Sequence, residues 1–444
     1  MTQTVPSTAR SRWLALVVLC AGMLMIILDQ TVVNVALPSI QRDLGFSQAA
    51  LAWVVNAYMI AFGGLLLLAG RLGDLIGRKR IFIAGLVVFT AASLLCGLSG
   101  SPPILIAARF VQGAGGAMTS AVILGVILTM FPEARERARA IGIYTFVASA
   151  GGSIGLLAGG VLTQAISWHW TFFVNLPIGI VATLLALRLV ESDRGLGLSA
   201  GADGTGAALV TGGLMLAVYT IVETATYGWG SAHTLGFGAL AAALLAAFVA
   251  RQARAANPLL PLRVFRSRNV SGANLIQALL VAGMLGTFFL GALYLQQVLG
   301  YDAMQIGLAF LPVALAIGTL SLGFSAWLNT RFGPRAVLLP SLALIAAGLA
   351  LFGRAPIEGS YVHDLLPAML LLGIGGGLSF PALTELAMAD ATPRDSGLVS
   401  GLFNTTQQVG GAFGLAVLAT LAASRTDGLR AGGGSAPASL AGGY

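Results

Sequence analysis

Four ionisable residues lie inside long apolar segments of the sequence, where a charge is costly. They are Asp29, Arg109, Glu223 and Glu385. A carboxylate in apolar surroundings loses the hydration of its charged form, so it can bind and release a proton near neutral pH. An arginine stays charged and would instead adjust the proton affinity of a nearby carboxylate or hydrogen-bond a neighbouring helix. These residues predict proton exchange. The alternative is a structural ion pair or an interfacial cap.

Two further sets of residues stand within the same apolar segments. Gly151, Gly155 and Gly159 are spaced by four, with Gly160 adjacent, so they share one helix face on which another helix can pack and slide. Amide and aromatic side chains could line a cavity for a bulky, partly apolar ligand, or merely bridge helices. The cavity candidates are Gln30, Asn34, Asn56, Gln112, Tyr144, Asn274, Gln277 and Phe288. The three histidines lie in or near loops, so no metal site is predicted.

The composition identifies the environment of these residues. Of the 444 residues, 57% are hydrophobic and 9% are charged, whereas an ordinary soluble domain carries roughly 25% charge. A soluble globule and a disordered chain are therefore excluded. The net charge of +8 is spread in short clusters, unlike a nucleic-acid-binding arm. With only two cysteines, both in apolar runs, no disulfide scaffold is expected. The predicted class is an all-α, polytopic membrane protein.

Thirteen apolar runs are long enough to cross a bilayer as helices, since about 20 residues suffice. Their limits are 13-36, 51-70, 80-99, 104-128, 139-163, 171-190, 205-223, 235-251, 270-298, 305-328, 335-353, 365-389 and 397-423. Nineteen of the 24 cations fall in the N-terminal segment and in every second loop after it. Cations in short loops are retained in the cytoplasm, so the N-terminus is expected inside, in a cytoplasmic (inner or plasma) membrane.

One of these cytoplasmic loops, 70–80, combines glycines, an acidic residue and three consecutive cations. Its glycines permit close helix approach and a turn, and its carboxylate can pair with an arginine across the cytoplasmic mouth. A pair that forms and breaks would act as a two-state gate. The alternative is an ordinary basic loop. The gate candidates are Gly70, Asp74, Gly77, Arg78 and Lys79.

The order of the spans predicts two six-helix bundles with an insertion between them. The short basic loops at 70–80 and 329–335 resemble each other, which suggests a repeated unit. The expected segments are a cytoplasmic N-terminus at 1-12, an N-terminal six-helix bundle at 13-190, two inserted helices at 191-251, a cytoplasmic linker at 252-269, five helices of a C-terminal bundle at 270-423 and a polar tail at 424-444. The sixth helix of the second bundle is missing from this count.

Three motifs resemble those of the major facilitator superfamily, specifically its fourteen-helix drug:proton antiporters. Residues 28–38, LDQTVVNVALP, look like the first-helix signature of that subgroup, in which the acidic residue is implicated in coupling or substrate recognition. Residues 70–79 look like the signature of the loop between helices 2 and 3. Residues 105–116, LIAARFVQGAGG, are similar to the fourth-helix proton-coupling signature, with Arg109 as the central residue.

Two further segments extend the resemblance over nearly the whole chain. Residues 167–179, SWHWTFFVNLPIG, look like the subgroup's sequence before and into helix 6. The fifth-helix antiporter signature is approached at 151–160, but Leu156 stands where the family usually has proline. In these antiporters a last helix commonly begins at a Gly-Tyr pair, so we expect it to begin at Gly443 and Tyr444 and to be cut off here.

The resemblance implies a proton-driven exporter of small amphipathic or cationic drugs, working by alternating access. Protonation of Asp29, with Glu223 or Glu385 as further candidates, would be tied to rocking of the two bundles. The expected partners are a small-molecule substrate, protons and lipid, with no nucleic acid, and the expected state is a monomer. No cofactor is expected besides the proton gradient. The alternatives are transport of one specific metabolite and a non-transporting sensor. An enzyme is not predicted, because the sequence shows no paired catalytic groups at usable spacing.

Overall fold

The computed structural model is built from helices. It describes residues 9–46, 51, 53–193, 195–197, 203–255, 258–301, 303–356, 359–392 and 395–431. Within these ranges there is no β-strand, which confirms the predicted all-α class. The expectation of a further helix beginning at Gly443 and Tyr444 falls outside the described residues.

The helices have the following bounds. They are α1 (Ala9–Leu44), α2 (Trp53–Ile76), α3 (Arg78–Gly97), α4 (Pro102–Met130), α5 (Ala134–Ala165), α6 (Trp170–Phe173), α7 (Asn175–Leu189), α8 (Gly204–Tyr227), α9 (Ala232–Arg254), α10 (Arg268–Gln297), α11 (Ala303–Thr319), α12 (Ser325–Phe332), α13 (Pro334–Phe352), α14 (Leu366–Met388) and α15 (Ser396–Ala431). A 3₁₀ turn, Leu262–Arg266, precedes α10, and π-helical turns, Leu320–Phe324 and Tyr361–Leu365, precede α12 and α14.

Every predicted span lies in helical structure, although span 171-190 is divided between α6 and α7 and span 305-328 includes a π-helical turn between α11 and α12. Among the described residues, 12 helical stretches are long and apolar enough to cross a membrane by length and composition. The remaining predicted span, 139-163, lies within α5, whose 32 residues also exceed the length that a bilayer requires. The linker is shorter than the predicted 252-269, because α9 continues to Arg254 and α10 already begins at Arg268.

The helices form two groups that share one continuous hydrophobic core. The N-terminal half consists of α1 to α7, in which α4 packs on α2 and α3, while α5 packs on α1. The C-terminal half consists of α10 to α15, in which α14 packs on α13 and α11, and α15 packs on α10. The inserted helices α8 and α9 pair with each other, and α8 contacts both α2 and α15. The inserted pair therefore lies against both halves.

Small residues on α2 make room for the inserted pair. A Cβ atom at Gly63 would lie 3.2 Å from Val218, and one at Gly64 would collide with the side chain of Met215. Helices approach closely where glycine removes the side chain, and this is the usual device for helix packing in lipid. The contact with α2 thus depends on two consecutive glycines.

Asp203 begins α8 and ties it to α9. Its carboxylate accepts hydrogen bonds from the Gly206 N–H at 2.9 Å, from Arg251 Nε at 2.7 Å and from Gln252 Nε2 at 2.9 Å. Burial raises the pKa of Asp203, but the three donors outweigh it, so that the pKa lies below its usual value. Asp203 is therefore both a helix N-cap and an ion-pair partner.

The basic loops gather at one end of the molecule, which we call the basic end. It carries residues 76–80, 130–136, 187–193, 251–255, 258–268, 331–335, 389–392 and 395–396. Arg12 pairs with Glu136 at 3.2 Å, and Lys79 Nζ donates to the Leu187 carbonyl oxygen at 2.8 Å. Loops that the charge pattern places on one side of the membrane therefore contact one another.

The two halves contact each other at the basic end. Gly70 of α2 lies directly against the Gly397 carbonyl oxygen at the start of α15, and Gly142 of α5 lies against the Ser321 carbonyl oxygen in the π-helical turn before α12. A Cβ atom at either glycine would collide with that oxygen. The halves are thus closed against each other at this end.

Candidate functional site

A buried ion pair joins the two charged residues that the sequence places in the first and fourth spans. Arg109 Nη1 of α4 lies 2.5 Å from Asp29 Oδ2 of α1. The two side chains are 1% and 0% exposed. A buried charge is strongly destabilising unless it is paired and hydrogen-bonded. Each of these charges therefore depends on the other.

Three neutral side chains complete this site, which we call the Asp29 cluster: Asp29, Arg109, Gln112, Ser93 and Asn175. Gln112 Nε2 donates to Asp29 Oδ1 at 2.7 Å and to Ser93 Oγ at 2.8 Å, while Gln112 Oε1 accepts from Arg109 Nη1 at 2.6 Å. Asn175 Nδ2 donates to Asp29 Oδ1 at 3.1 Å and to Ser93 Oγ at 3.4 Å. All five side chains are buried. The cluster joins α1, α3, α4 and α7.

The guanidinium of Arg109 is also held from the side of α2. Its Nε donates to the Val54 carbonyl oxygen at 2.9 Å. Its Cζ lies 4.4 Å from the ring centroid of Tyr58 and 5.7 Å from that of Phe172. Cations are attracted to aromatic faces within about 6 Å. Arg109 is thereby fixed by its carboxylate, a carbonyl oxygen and two rings.

The helices explain how the sequence positions these groups. Arg109 and Gln112 are three residues apart on α4 and so share one face. Asn175 begins α7 just after Val174, at the break between α6 and α7. Pro177 has no N–H with which to bond the Phe173 carbonyl group, which accounts for the break at this point. Neither Ser93 nor Asn175 is a predicted site residue, although an asparagine two positions before a proline inside a span is a detectable signal.

The candidate gate residues form a helix junction and not a loop, which corrects the sequence-based expectation. Residues 70–76 are the last turns of α2, and Arg78 begins α3. Only Gly77 lies between them, at φ 114°, a conformation that residues with a side chain rarely adopt. Asp193 Oδ2 and Oδ1 accept from the N–H groups of Arg78 and Lys79 at 2.8 and 3.2 Å, which caps the start of α3.

Asp74 contacts the other half through backbone groups and not through an arginine across the mouth, which is a second correction. Its carboxylate accepts from the Gly397 N–H at 2.9 Å and the Leu398 N–H at 2.8 Å. Arg78, four residues along the same junction, donates to Asp74 Oδ1 at 3.1 Å from both Nε and Nη2. The first N–H groups of a helix have no intrahelical partner and attract a negative charge. Asp74 thus caps α15.

The glycines of the fifth span face α1. A Cβ atom at Gly151 would lie 3.0 Å from Leu24, one at Gly159 would lie 3.0 Å from the Val32 Cα atom, and one at Gly155 would collide with Thr31. The surroundings of Gly160 lie outside the described residues. The predicted glycine face is therefore a packing surface for α1, inside the N-terminal half.

The other two charged candidates stand apart from the Asp29 cluster. Glu223 on α8 is buried near Tyr219 and makes no hydrogen bond or ion pair with a described residue. Glu385 on α14 lies near Asn329 and within the field of Arg137 on α5, in the other half. Its buried Oε2 atom has no hydrogen-bond partner among the described residues.

The cavity candidates divide into buried and partly open residues. Gln112, Tyr144, Asn274 and Gln277 are buried between helices, so they do not line an open cavity in this conformation. Gln30, Asn56 and Phe288 are partly exposed, with Gln30 Nε2 donating to the Tyr58 hydroxyl at 3.3 Å and the ring of Phe288 lying 5.0 Å from that of Phe310. The side chain of Asn34 lies outside the described residues.

Comparison with known proteins identifies the family. The profile described as Major Facilitator Superfamily matches residues 19–415. The chain is 41% identical over 429 residues to the puromycin resistance protein pur8 of Streptomyces alboniger, covering 96% of this chain and 85% of that protein. It is 42% identical over 435 residues to the cephamycin export protein CmcT of Amycolatopsis lactamdurans, covering 97% and 87%.

Solved structures agree in fold. The human organic anion transporter MFSD10 superposes with a TM-score of 0.70 at 15% identity, over 99% of this chain and 98% of that one. The transporter FucP in the outward conformation superposes with a TM-score of 0.64 at 15% identity, over 98% and 96%. The chain belongs to the Major Facilitator Superfamily, and it is a multi-pass membrane protein whose function is transport and not catalysis.

Proposed function

We propose that this chain exports antibiotic-class small molecules across the cytoplasmic membrane in exchange for protons. Two of its relatives are named for resistance to, or export of, a single antibiotic, puromycin or cephamycin. A third, the tetracenomycin C resistance and export protein of Streptomyces glaucescens, is 33% identical over 416 residues, covering 93% of this chain and 76% of that protein. These compounds support natural products as the substrate class, with amphipathic or cationic molecules as the broader alternative.

The observation that carries the proton coupling is the isolated ion pair between Asp29 and Arg109. Protonation of Asp29 removes one of the two charges and leaves Arg109 uncompensated inside the N-terminal half. Because an unpaired buried charge costs several kcal/mol, this half must rearrange or admit another group when the proton binds. A proton gradient can therefore drive a conformational change through this carboxylate.

The contacts at the basic end supply the gate for alternating access. We assign this end to the cytoplasm, because cations in short loops are retained there. The conformation described is then closed toward the cytoplasm, with Asp74 capping the first turn of α15 across the two halves. Opening toward the cytoplasm separates Asp74 from the N–H groups of Gly397 and Leu398, so the gate has two discrete states.

The proposal is tested by transport into everted membrane vesicles with puromycin and ethidium as probes. We expect Asp29→Asn to abolish uptake driven by an acid-inside gradient, because the amide cannot exchange a proton. Asp43→Asn is the matched control: Asp43 lies on the same helix and accepts from Trp168 Nε1 at 2.8 Å, outside the Asp29 cluster. Wild-type, gradient-driven uptake by Asp29→Asn would remove Asp29 from the mechanism.

The breadth of the substrate range is tested separately. The names of the relatives favour export of one natural product or a few related ones. A strain that expresses the chain should then gain resistance to few compounds in a broad panel. Resistance to many unrelated cationic dyes and drugs would establish the multidrug alternative, and binding without pH-dependent flux would favour a sensor.

A further inference from the structure

The Asp29 cluster is arranged for a charged carboxylate. Both carboxylate oxygens of Asp29 face donors: Oδ2 faces Arg109, and Oδ1 faces the amide nitrogens of Gln112 and Asn175. A protonated carboxyl group is itself a donor and needs an acceptor within reach. Some neighbour must therefore change its orientation when the proton binds.

Two of the three neighbours cannot supply that acceptor without losing a bond. Arg109 has only donor atoms. The Oε1 atom of Gln112 already accepts from Arg109 Nη1 at 2.6 Å and from Cys96 Sγ at 3.6 Å. Turning the Gln112 amide would place its nitrogen against the guanidinium, which is also a donor. Gln112 is thus locked in its present orientation.

Asn175 differs from Gln112 in its unused oxygen. Its Oδ1 atom is buried and has no hydrogen-bond partner among the described residues, although buried polar atoms are rarely left without one. Its side chain is fully buried, and its Nδ2 atom contacts both Asp29 Oδ1 and Ser93 Oγ. A half-turn of the amide would place the unused oxygen where the nitrogen now lies. The turn breaks the two bonds that Nδ2 donates, to Asp29 and Ser93, and replaces them with bonds that Oδ1 accepts from the same two groups, whereas no bond to a third residue is broken.

We propose that Asn175 is a positioning residue whose side-chain amide turns over when Asp29 takes up a proton. In the charged state Asn175 Nδ2 donates to Asp29 Oδ1. In the protonated state the carboxyl O–H and the Ser93 hydroxyl both donate to Asn175 Oδ1. Asn175 begins α7 at the helix break, so rotation of its amide couples the protonation of Asp29 on α1 to α7. This inference deepens the proposed function and rests on Asp29 being the proton-exchanging group.

The titratable groups that face Asp29 do not change their charge near neutral or acidic pH. From α4 it is faced by Arg109, from α2 by Tyr58 and from α3 by Cys96. The ordinary titration ranges of tyrosine and cysteine lie above neutral pH, and arginine stays charged. A change in this cluster as the pH falls through neutral therefore reports on Asp29.

The test uses infrared difference spectroscopy of the full chain in lipid, titrated with pH and without substrate. Asp29→Asn identifies the carboxyl band of protonated Asp29 by removing it. In the wild type, we expect an amide carbonyl band to move to lower frequency together with that carboxyl band, because Asn175 Oδ1 gains two donors. Asn175→Leu should abolish this amide shift. Asn274→Leu, which removes another buried amide with an unpartnered oxygen, should leave it unchanged.

A second readout distinguishes positioning from a purely structural role. Charge-assisted hydrogen bonds are roughly twice as strong as neutral ones, so Asn175 favours the charged form more than the protonated form. Asn175→Leu should therefore move the midpoint of the carboxyl band, and the pH profile of puromycin uptake, to higher pH by up to about one unit. Asn274→Leu should leave both in place.

The outcomes separate this inference from the proposed function. A carboxyl band of Asp29 that titrates without any amide shift, or with one that persists in Asn175→Leu, would overturn the role of Asn175 while leaving proton coupling intact. Gradient-driven uptake by Asp29→Asn would overturn the proposed function itself. If Asn175→Leu reduces uptake but keeps the wild-type pH profile and amide band, Asn175 is structural.

Discussion

The two halves of the molecule share one packing device. In the N-terminal half, α5 presents Gly151, Gly155 and Gly159 to α1. In the C-terminal half, α15 presents Gly410 and Gly414 to α10, where a Cβ atom at either position would lie 2.7 Å from the Cα atom of an alanine on α10. Glycines four residues apart thus form the corresponding contact in both halves. The halves repeat each other where helices pack.

Their interiors differ in charge. The N-terminal half encloses the Asp29–Arg109 pair. The ion pair next to the C-terminal half joins Arg263 Nη2, in the turn before α10, to Asp395 Oδ2, just before α15, at 3.2 Å; it lies at the basic end with Arg263 66% exposed. The buried polar groups of α10 are Asn274 and Gln277, whose carbonyl oxygens have no partner among the described residues. The halves thus share a packing device, but among the described residues a buried ion pair inside a half is found in the N-terminal one, whereas the C-terminal half carries Glu385, which has no ion-pair partner.

The largest effect is expected from removing Arg109. Arg109→Leu leaves the buried carboxylate of Asp29 unpaired, and we expect a loss of about 3–5 kcal/mol in the free energy of unfolding together with loss of transport. Thermal unfolding of the purified protein in detergent measures the first effect. Gln277→Leu in the C-terminal half should cost less than about 1 kcal/mol, since it removes a buried amide oxygen that has no partner among the described residues.

A double variant separates charge from packing in this prediction. Asp29→Asn combined with Arg109→Leu removes both buried charges, so much of the stability should return while gradient-driven uptake stays absent. If the double variant is as unstable as Arg109→Leu alone, the loss comes from packing around the arginine and not from an unpaired carboxylate.

The shared packing device is tested with alanine substitutions on α5 and α15. Gly155→Ala would push a methyl group into Thr31, and overpacking of this kind costs about 1–3 kcal/mol. Gly414→Ala, which meets Ala282, should have a similar cost if the two contacts are equivalent. Gly152→Ala is the control, because a Cβ atom there meets nothing within 4 Å. Unfolding midpoints that drop for only one of the first two variants would show that the halves are not packed alike.

Removing the charge of Asp74 should weaken both its cross-half contact and its buried ion pair with Arg78, and the cross-half part of the effect is measured by conformation. Asp74→Asn removes the negative charge and one acceptor from the first turn of α15, which weakens closure at the basic end by about 1–2 kcal/mol. A Ser400→Cys substitution at a buried position reports the opening, and its labelling by maleimide should become about tenfold faster.

Asp193 provides the control for this gate experiment. Asp193 also caps a helix at the basic end, but its partners Arg78 and Lys79 belong to the same half. Asp193→Asn, combined with Ser400→Cys, should therefore be labelled at nearly the rate of the Ser400→Cys single variant. Equal acceleration by Asp74→Asn and Asp193→Asn would mean that Asp74 stabilises the fold near α3 and does not hold the halves together.

The sequence predicts those structural features that a local pattern of residues determines. Each helix is recognisable because a bilayer requires about 20 apolar residues, and the charges of Asp29 and Arg109 are conspicuous inside such runs. Their pairing joins residues 80 positions apart, and no local pattern encodes that distance. The same holds for Asp74, whose partners are backbone N–H groups more than 300 residues away. A backbone partner has no side-chain identity that a motif could reveal, so the sequence leads to an arginine across the mouth, whereas the arginine that pairs with Asp74 is Arg78 of the same junction.

The smallest predicted effect concerns an ion pair that water reaches. Asp203 is buried at the N-terminus of α8, but its partner Arg251 is 43% exposed, so solvent screening should limit the contribution of the pair to below about 1 kcal/mol. Because the pKa of Asp203 is lowered in the folded protein, this stabilisation is present above the ordinary carboxyl range near 4 and is lost as the pH falls through the folded value. Asp203→Asn should thus unfold at a slightly lower temperature than wild type at pH 7, and the two unfolding temperatures should converge in acid. If Asp203 acts only as a neutral cap, the stabilities of Asp203→Asn and wild type will not converge in acid. A loss of stability as large as that of Arg109→Leu would show that exposure does not distinguish the two ion pairs.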